Sequence, residues 1–330
     1  MKLSTLADGS RDGRLVIVSA DLTRAIAADD IAPTLQAALD AWSNVEAALR
    51  ARSDDLASGR AAAAFDYSQA QALAPLPRAW QWLDGSAYES HGELMQRVFK
   101  MDPTPKGRPL MYQGVSDTFY SATQDVAFPS EDDGIDFEGE FGVIVDETPM
   151  GVTAEQAARH IRLVVQINDW SLRTLAPVEM KTGFGWIQAK PPCSMAPLAV
   201  TPDALGASWR DGRVDLPLCV DWNGQRFGAA EGYPMAFSFP QLVSHAARTR
   251  TLCAGTIIGS GTVSNENYRA VGSSCIAERR GIEILDEGAP RTGFMRFGDR
   301  VRMETRMRDG SPLFGAIDQQ VVEAGVARAI

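Results

Sequence analysis

Length, composition and charge limit what this chain can be. Its 330 residues include 45% hydrophobic and 22% charged residues, enough to bury a full core without a structural metal or a disulfide. The formal net charge is −10 and the arginines are scattered, which argues against binding to nucleic acid or to an anionic membrane surface. A bound metal is therefore expected to serve function, and an anionic substrate would need a cation in its site.

The cysteines and the first residues of the chain predict the cellular compartment of the protein. The four cysteines are dispersed without a C-x-x-C pair, a pattern that fits neither a zinc ribbon nor a disulfide framework. The first residues, MKLSTLADGSRDGRL, lack the apolar core of a signal peptide. No apolar run approaches the ~18 residues of a membrane span. We therefore expect a soluble, cytoplasmic protein with no membrane partner.

The first part of the chain predicts a small β-rich module. Its predicted elements are strands at Lys2–Leu6, Leu15–Ser19 and Leu22–Ala27 and a helix at Thr34–Arg52. Pro75 and Pro77 mark its end, because each proline removes a hydrogen-bond donor and restricts the residue before it. We therefore predict two domains, a small N-terminal domain at 1–78 and a catalytic domain at 79–330.

The second part predicts mostly strand, with a few helices. A capping box, Thr153 with Gln156, marks the start of one helix. The predicted helices are Thr153–Arg162 and Ser238–Thr249, and the predicted strands are Phe137–Val145, Leu163–Asn168, Gly255–Thr262, Ile282–Leu285, Arg300–Thr305 and Ala316–Val322. Because helices and strands do not alternate regularly, a doubly wound sheet is disfavoured, and we predict an α+β fold that is mostly β.

Two glutamates form the strongest local feature, in the sequence Asp-Phe-Glu-Gly-Glu that begins at Asp136. On a strand, Glu138 and Glu140 project from the same face, about 6.6 Å apart along the strand. Ile144 continues that face, which suggests that the face enters the core. Two buried carboxylates repel each other, and a hard cation that prefers oxygen ligands relieves the repulsion. The alternative is a solvated edge strand in an acidic protein.

Other chemistry-bearing residues carry weaker signals. Asp169 follows an apolar strand, where an aspartate can equally cap a short helical turn. His91, His160 and His245 match no metal-binding motif, and the sequence alone favours structural or surface roles for them. The sequence holds no nucleophile elbow, P-loop or dinucleotide-binding fingerprint. The Gly-Ser-Gly-Thr turn that ends at Thr262 could offer N–H groups to an anion, although a plain turn also explains it.

Five segments taken together resemble the fumarylacetoacetate hydrolase family, over roughly residues 79–322. They are Asp84-Gly-Ser-Ala-Tyr-Glu-Ser-His91, Asp136-Phe-Glu-Gly-Glu140, Asn168-Asp-Trp-Ser171, Ala189-Lys190-Pro191 and Gly259-Ser-Gly-Thr262. The order of the segments also matches the family. The resemblance implies a mixed β-sandwich roll, preceded by a small β-rich N-terminal module, and a homodimer.

The resemblance also implies a site. Its divalent cation, Mg²⁺ or Ca²⁺ with Mn²⁺ as a further candidate, would be held by Asp84, Glu138, Glu140 and Asp169. The catalytic residues that it implies are His91, Lys190 and Glu278. The substrate-binding residues that it implies are Tyr88, Tyr112, Thr262 and Lys100.

The chain departs from the family pattern in four places. Asp84 is followed by Gly-Ser, where the family usually has Phe-Tyr. A substrate-contacting glutamine of the family falls at about Ala176, and a substrate-contacting arginine falls near Lys100. The carboxylate that would orient His91 is either Glu278 or Glu93, and the sequence leaves both open. These departures concern the substrate more than the metal.

The activity implied is metal-dependent hydrolysis of a carbon–carbon bond in an anionic β-diketo acid. Asp84 stands seven residues before His91, a spacing that favours fumarylacetoacetate, cleaved to fumarate and acetoacetate in tyrosine and phenylalanine catabolism. Alternatives on the same scaffold are an acylpyruvase, an oxaloacetate decarboxylase, and an isomerase or hydratase of aromatic catabolism. A non-catalytic metal-binding member would keep the glutamates and lack a competent base.

Overall fold

The structure is a computed structural model that describes residues 1–100 and 107–325. Its strands, numbered in chain order, are β1 (Lys2–Leu6), β2 (Arg14–Val18), β3 (Arg24–Ala27), β4 (Phe65–Asp66), β5 (Trp82–Ser86), β6 (Leu110–Gly114), β7 (Val126–Phe128), β8 (Ile135–Asp136), β9 (Gly139–Val145), β10 (Ile161–Asn168), β11 (Ser171–Leu172), β12 (Ser194–Met195), β13 (Leu198–Val200), β14 (Trp209–Arg210), β15 (Arg213–Val214), β16 (Pro217–Trp222), β17 (Gln225–Glu231), β18 (Ile257–Gly259), β19 (Arg300–Arg306) and β20 (Pro312–Glu323).

The α-helices are fewer than the strands and contain fewer residues in total. They are α1 (Leu35–Asp40), α2 (Trp42–Ala57), α3 (Glu89–Phe99), α4 (Ala154–Ala157), α5 (Ala176–Thr182), α6 (Phe239–Ala246), α7 (Tyr268–Val271) and α8 (Ile276–Glu287). Among the described residues, none of these helices is long and apolar enough to cross a bilayer. The balance of elements confirms the α+β, mostly β fold class.

The larger sheet runs through both predicted domains. Its strand order is β4-β3-β2-β1-β13-β10-β9-β18-β5-β6, and β12 pairs with β10 beside this path. The N-terminal strands join the remainder through the antiparallel pair of β1 and β13, where Leu3 lies opposite Ala199. The division at residue 78 stays a prediction, since strands from both sides of it share one sheet.

Two cores cover the two faces of the larger sheet. On one face, Phe141 and Val143 of β9 share a core with Leu218 and Met303 of the smaller sheet, whose strand order is β17-β16-β19-β20-β7. This face forms the sandwich. On the opposite face, Ile144 packs in a core with α1 and α2, whose buried residues include Leu35, Leu39 and Leu49. Each such buried aliphatic side chain contributes about 1.5–3 kcal/mol to folding.

The central strands formed where the apolar pattern predicted them. The run Ile-Arg-Leu-Val-Val-Gln-Ile-Asn is β10, and it pairs antiparallel with β9, which starts at Gly139 rather than at Phe137. The three N-terminal strands and β19 are confirmed within two residues, whereas β20 begins four residues before the predicted strand. Ile144 is fully buried, which confirms that the face shared by Glu140 and Ile144 enters the core.

Other element predictions were wrong or need new bounds. Residues 282–285, predicted as a strand, lie within α8, because the buried residues Glu278, Gly281 and Ile282 recur at the i, i+3, i+4 spacing of a helix behind the Cys275 cap. The predicted helix at residues 34–52 is interrupted at Ala41 into α1 and α2. The predicted strand at 255–262 is reduced to β18, since Gly255 and Gly261 adopt positive φ at its two ends.

Two capping boxes mark helix starts in the structure, one of them predicted from the sequence. Thr153 and Gln156 exchange side-chain and backbone hydrogen bonds of 3.2 and 2.8 Å, as the sequence predicts. The α-helix that they open ends at Ala157, is followed by one 3₁₀ turn, and gives way to β10 at Ile161. Ser238 with Gln241 opens α6 in the same way. Local sequence therefore fixed where these helices begin but not where they end.

Candidate metal and catalytic site

Three buried carboxylates meet on the helix-covered face of the larger sheet. Asp84 lies on β5, Glu140 lies on β9, and Asp169 directly follows β10. One oxygen of each lies within 4.8 Å of one oxygen of the other two. Between β5 and β9 runs β18, where Gly259 stands opposite both Asp84 and Gly142. The sheet thus brings together three acids that are far apart in the sequence.

Two of the three carboxylates, Asp84 and Glu140, are in an environment that penalises negative charge. Burial, followed by the nearby charge of Asp169, raises the pKa of Asp84 to about 8. Burial, followed by Asp84 and Asp169, raises the pKa of Glu140 well above its usual value. Both carboxylate oxygens of Glu140 are buried and accept no hydrogen bond from the residues that the structure describes.

These orphaned oxygens fit a hard divalent cation. Buried polar atoms are normally hydrogen-bonded, so a fully buried carboxylate without a donor needs another source of positive charge. Mg²⁺, Ca²⁺ and Mn²⁺ all accept carboxylate oxygens as ligands. The donor set of Asp84, Glu140 and Asp169 is therefore suited to such an ion.

Gly259 gives Asp84 the room that it needs. A Cβ at this position would stand 2.4 Å from Oδ1 of Asp84 and 2.3 Å from a ring carbon of Trp82. On the same carboxylate, the N–H of Gly261 donates a hydrogen bond of 3.0 Å to Oδ1. One N–H of the Gly-Ser-Gly-Thr turn thus serves a protein carboxylate.

We expect Gly259→Ala to disrupt this site. The added methyl must displace Asp84 or Trp82, so the free energy of unfolding should fall by about 1–3 kcal/mol, the usual cost of overpacking. Chemical denaturation measures the loss, and Mn²⁺ titration should show weaker binding. The matched control is Gly293→Ala, an exposed glycine whose Cβ would meet nothing within 4 Å. Equal stability and equal Mn²⁺ binding in the two variants would contradict this account.

Two cations neutralise the carboxylates beside this group. The Lys190 ammonium donates to Oε2 of Glu138 at 2.5 Å and to Oδ2 of Asp169 at 2.6 Å. Arg173 donates to Oε1 of Glu138 at 2.6 Å and to Oδ2 of Asp136 at 2.8 Å. Burial opposes the charge on Glu138, yet Lys190 and Arg173 hold its pKa below the usual value.

Glu138 therefore differs from Glu140, although the two are neighbours on the chain. Glu138 is ion-paired on both oxygens, whereas Glu140 stands in the group with Asp84 and Asp169. Burial disfavours the charge on Lys190, but Asp169 and Glu138 raise its pKa, so it stays cationic. Glu138 as a metal ligand stays a prediction, and its observed contacts make it the anchor of Lys190 and Arg173.

Asp169 accepts two further hydrogen bonds from neutral donors. The Tyr112 hydroxyl donates to Oδ2 at 2.6 Å, and the Cys193 thiol donates to Oδ1 at 2.9 Å. Burial, followed by Asp169, raises the pKa of both groups well above the usual values, so both keep their protons. In the sequence, Cys193 is only one of four dispersed cysteines. Its position three residues after Lys190 was the one signal that could have placed it here.

His91 and Glu278 face each other from two helices that pack together. His91 lies on α3 and Glu278 on α8, and Nδ1 of His91 is 3.9 Å from Oε1 of Glu278. Glu278 is fully buried and accepts a hydrogen bond from the Ser264 hydroxyl. Glu93, the other predicted partner of His91, lies 3.8 Å from Arg97. Of the two alternatives, Glu278 is the carboxylate that the fold brings to His91.

The predicted substrate contacts have varied surroundings. Tyr88 is buried in the sandwich core, and its hydroxyl donates to the Gly232 carbonyl at 2.7 Å, a position that gives it a packing role. Thr262 is buried directly after Gly261, next to Asp84. Lys100 is exposed at the end of α3, where its φ is 51°. Of these predicted contacts, Tyr112 is the one whose hydrogen bond to Asp169 places it directly at the carboxylates.

The structure thus places a carboxylate group suited to a hard cation next to a buried lysine and a His–Glu pair, an arrangement typical of metal-dependent enzymes. The family model for the fumarylacetoacetate (FAA) hydrolase C-terminal domain matches residues 81–322, and the model for fumarylacetoacetase N-terminal domain 2 matches residues 1–78. The chain belongs to the fumarylacetoacetate hydrolase family.

Individual relatives are distant. A 2,4-didehydro-3-deoxy-L-rhamnonate hydrolase from Sphingomonas sp. (strain SKA58) is 27% identical over 181 residues, which cover 54% of this chain and 59% of that protein. The oxaloacetate tautomerase YisK from Bacillus subtilis (strain 168) is 28% identical over 130 residues, covering 39% of this chain and 41% of that protein. The match thus spans only about half the length of these curated relatives.

Solved structures share the whole fold. Maleylpyruvate hydrolase from Sphingobium sp. SYK-6, solved with manganese(II) and pyruvate, superposes with a TM-score of 0.65. The match covers 98% of this chain and 99% of that chain at 17% sequence identity. This likeness shows a common architecture that includes the N-terminal strands.

Proposed function

We propose that this protein is a divalent-metal-dependent hydrolase that cleaves a carbon–carbon bond in a β-diketo acid, with fumarylacetoacetate as the substrate and fumarate and acetoacetate as products. The observation that carries the proposal is the group of Asp84, Glu140 and Asp169, in which Glu140 is buried without a donor. Family membership supports the reaction class. The aspartate seven residues before His91 supports the choice of substrate.

The proposed cation would be held by Asp84, Glu140 and Asp169, with Glu138 as the predicted fourth ligand. When bound, the ion supplies a Lewis acid for the carbonyl oxygens of the substrate. Mg²⁺, Ca²⁺ and Mn²⁺ all suit such an oxygen-only site. The manganese in the maleylpyruvate hydrolase structure supports a divalent ion.

The protein groups divide the remaining chemistry among them. His91 accepts a proton from water as the water oxygen bonds to the carbonyl carbon, and the buried carboxylate of Glu278 orients the imidazole and stabilises its charge. Lys190 stabilises the negative charge that develops on the carbonyl oxygen. When the carbon–carbon bond breaks, its electron pair leaves with the acetoacetate carbon. The proton held by His91 then returns to that carbon.

A second candidate is hydrolysis of an acylpyruvate. The maleylpyruvate hydrolase structure matches almost the full length of both chains and contains pyruvate, the product of such a cleavage. A third reaction, the tautomerisation of oxaloacetate, is suggested by the YisK relative but rests on a shorter match. These candidates share the same carboxylate group and differ in the part of the substrate that lies outside it.

A substrate panel tests the proposal. The protein is chelated, reloaded with Mg²⁺ or Mn²⁺, and offered fumarylacetoacetate, an acylpyruvate and the enol of oxaloacetate in oxygen-labelled water. We expect the highest kcat/KM on fumarylacetoacetate and one labelled oxygen in the fumarate formed. A higher kcat/KM on the acylpyruvate would replace the substrate assignment. If the enol of oxaloacetate is converted and no compound gives a labelled product, the protein is a tautomerase and the proposed hydrolysis is wrong.

Assembly and compartment stay predictions. The expected homodimer has a candidate contact surface in the segment around α5, where Val178, Phe184 and Ile187 are exposed by 67, 97 and 83%. Large exposed apolar side chains close together are typical of protein interfaces. The cytoplasmic location rests on the sequence features alone.

A further inference from the structure

A second group of potential metal ligands lies beside the first. His91, Cys275 and Glu278 each place one ligand atom within 4.8 Å of the other two. Cys275 is the N-cap residue of α8, and Glu278 lies one turn further along that helix, where α3 brings His91 against it. This group differs from the carboxylate group in chemistry, because it offers nitrogen, sulfur and oxygen rather than oxygen alone.

Two atoms of this group are buried without a partner. Nδ1 of His91 and Oε2 of Glu278 make no hydrogen bond with any residue in the described ranges. Glu278 is fully buried, so no solvent compensates its free oxygen. Nδ1 of His91 is 3.9 Å from Oε1 of Glu278, close to the ~3.5 Å that separates two ligands of a tetrahedral zinc ion. A small inward shift would let both side chains share one ion.

The surroundings favour a cation at this place. Asp136 and Glu138 lie on the strand segment that faces Cys275; Arg173 pairs with both of them, and Lys190 is shared between Glu138 and Asp169. With Glu278, three carboxylates therefore stand near the cysteine. A nitrogen, sulfur and oxygen donor set suits Zn²⁺ and Co²⁺, whereas Mg²⁺ and Ca²⁺ prefer oxygen donors.

We propose that His91, Cys275 and Glu278 form a second metal site that prefers zinc, with three protein ligands and the fourth position open to water. The Cys275 thiol gives its proton to solvent as the sulfur coordinates the ion. Zinc at Nδ1 of His91 takes the place of Glu278 as the partner of the imidazole, so it inhibits the hydrolysis. The inhibition rests on the proposed function, whereas the metal site itself does not.

Cobalt spectroscopy tests the site without any activity measurement. The full-length protein is first saturated with Mg²⁺ and then titrated with Co²⁺. We expect a sulfur-to-cobalt charge-transfer band in the near ultraviolet for the wild type and for Cys253→Ser, an exposed cysteine that serves as control. The band should be lost in Cys275→Ser, where serine preserves the helix cap. A wild type without the band, or a Cys275→Ser variant that keeps it, would overturn the site.

Inhibition by Zn²⁺ tests the proposed effect of the second metal site on hydrolysis. On the best substrate of the panel, the Zn²⁺ concentration that halves turnover should rise at least tenfold in Cys275→Ser and stay unchanged in Cys253→Ser, each measured against its own zinc-free rate. A sulfur band without inhibition would overturn the inhibitory role. If no substrate is turned over, the proposed function fails while the cobalt band still decides the metal site.

Discussion

Glu140→Gln is expected to raise the stability of the metal-free protein and to remove its stabilisation by metal. In the chelated protein, Glu140 is a fully buried carboxylate beside two others, and its oxygens accept no hydrogen bond from a described residue. Glutamine has no charge to bury and no proton to take up on folding, so the free energy of unfolding at neutral pH should rise by about 1–3 kcal/mol. Saturating metal at about 100 times Kd stabilises a protein by about 2.7 kcal/mol, and this gain should vanish in the variant.

Thermal unfolding with and without Mn²⁺ measures both effects in one experiment. The matched control is Glu147→Gln, an exposed glutamate near the end of the same strand, which should respond to Mn²⁺ as the wild type does. A metal-induced rise in Tm that is equal in Glu140→Gln and in the wild type would place the ion elsewhere. A lower Tm of the chelated variant would show that Glu140 is already well compensated without metal.

His91→Gln is expected to lower kcat about 10²–10⁴-fold, the usual contribution of a positioned general base. Because His91 lies outside the group of three carboxylates, the rise in Tm caused by Mn²⁺ should be retained. Glu278→Gln should lower kcat less, since it leaves the imidazole in place but removes the charge that faces it. Stopped-flow turnover of the best substrate gives kcat for each variant.

The control for His91 is His160→Gln. His160 is 2.7 Å from Asp146 and lies next to β10, so its loss should leave kcat unchanged. Turnover of His91→Gln within a factor of two of the wild type, with metal bound, would show that another group takes the proton. In that case His91 would remain only as a ligand of the proposed second site.

Sequence patterns predicted the parts of the site that depend on local structure. The apolar run before Asp169 predicted β10, and the alternation around Glu140 predicted the buried face that carries it. Strand periodicity determines which residues share a face, so these inferences needed no tertiary information. Asp84 and His91 came from the family resemblance, because nothing in their local pattern distinguishes them from surface residues.

The remaining features of the site depend on contacts between segments that are distant in the sequence, which a local sequence pattern does not encode. Cys193 donates to Asp169 because β12 pairs antiparallel with β10, with Ser194 opposite Asn168. Glu138 and Glu140 lie two residues apart on one segment, as predicted, but their pKa values shift in opposite directions. Burial raises the pKa of Glu140, whereas at Glu138 the effect of burial is outweighed by Lys190 and Arg173, which lower the pKa. The strand predicted at 282–285 failed for a related reason, because a short apolar run fits a buried helix as well as a strand.

The most direct test of the account is anomalous X-ray scattering from crystals soaked in Mn²⁺. The measurement locates the ion without reference to activity or to the choice of substrate. We predict one strong anomalous peak among the carboxylate oxygens of Asp84, Glu140 and Asp169. A peak at another place, or the absence of a peak there at saturating Mn²⁺, would contradict the metal site on which the proposed hydrolase depends.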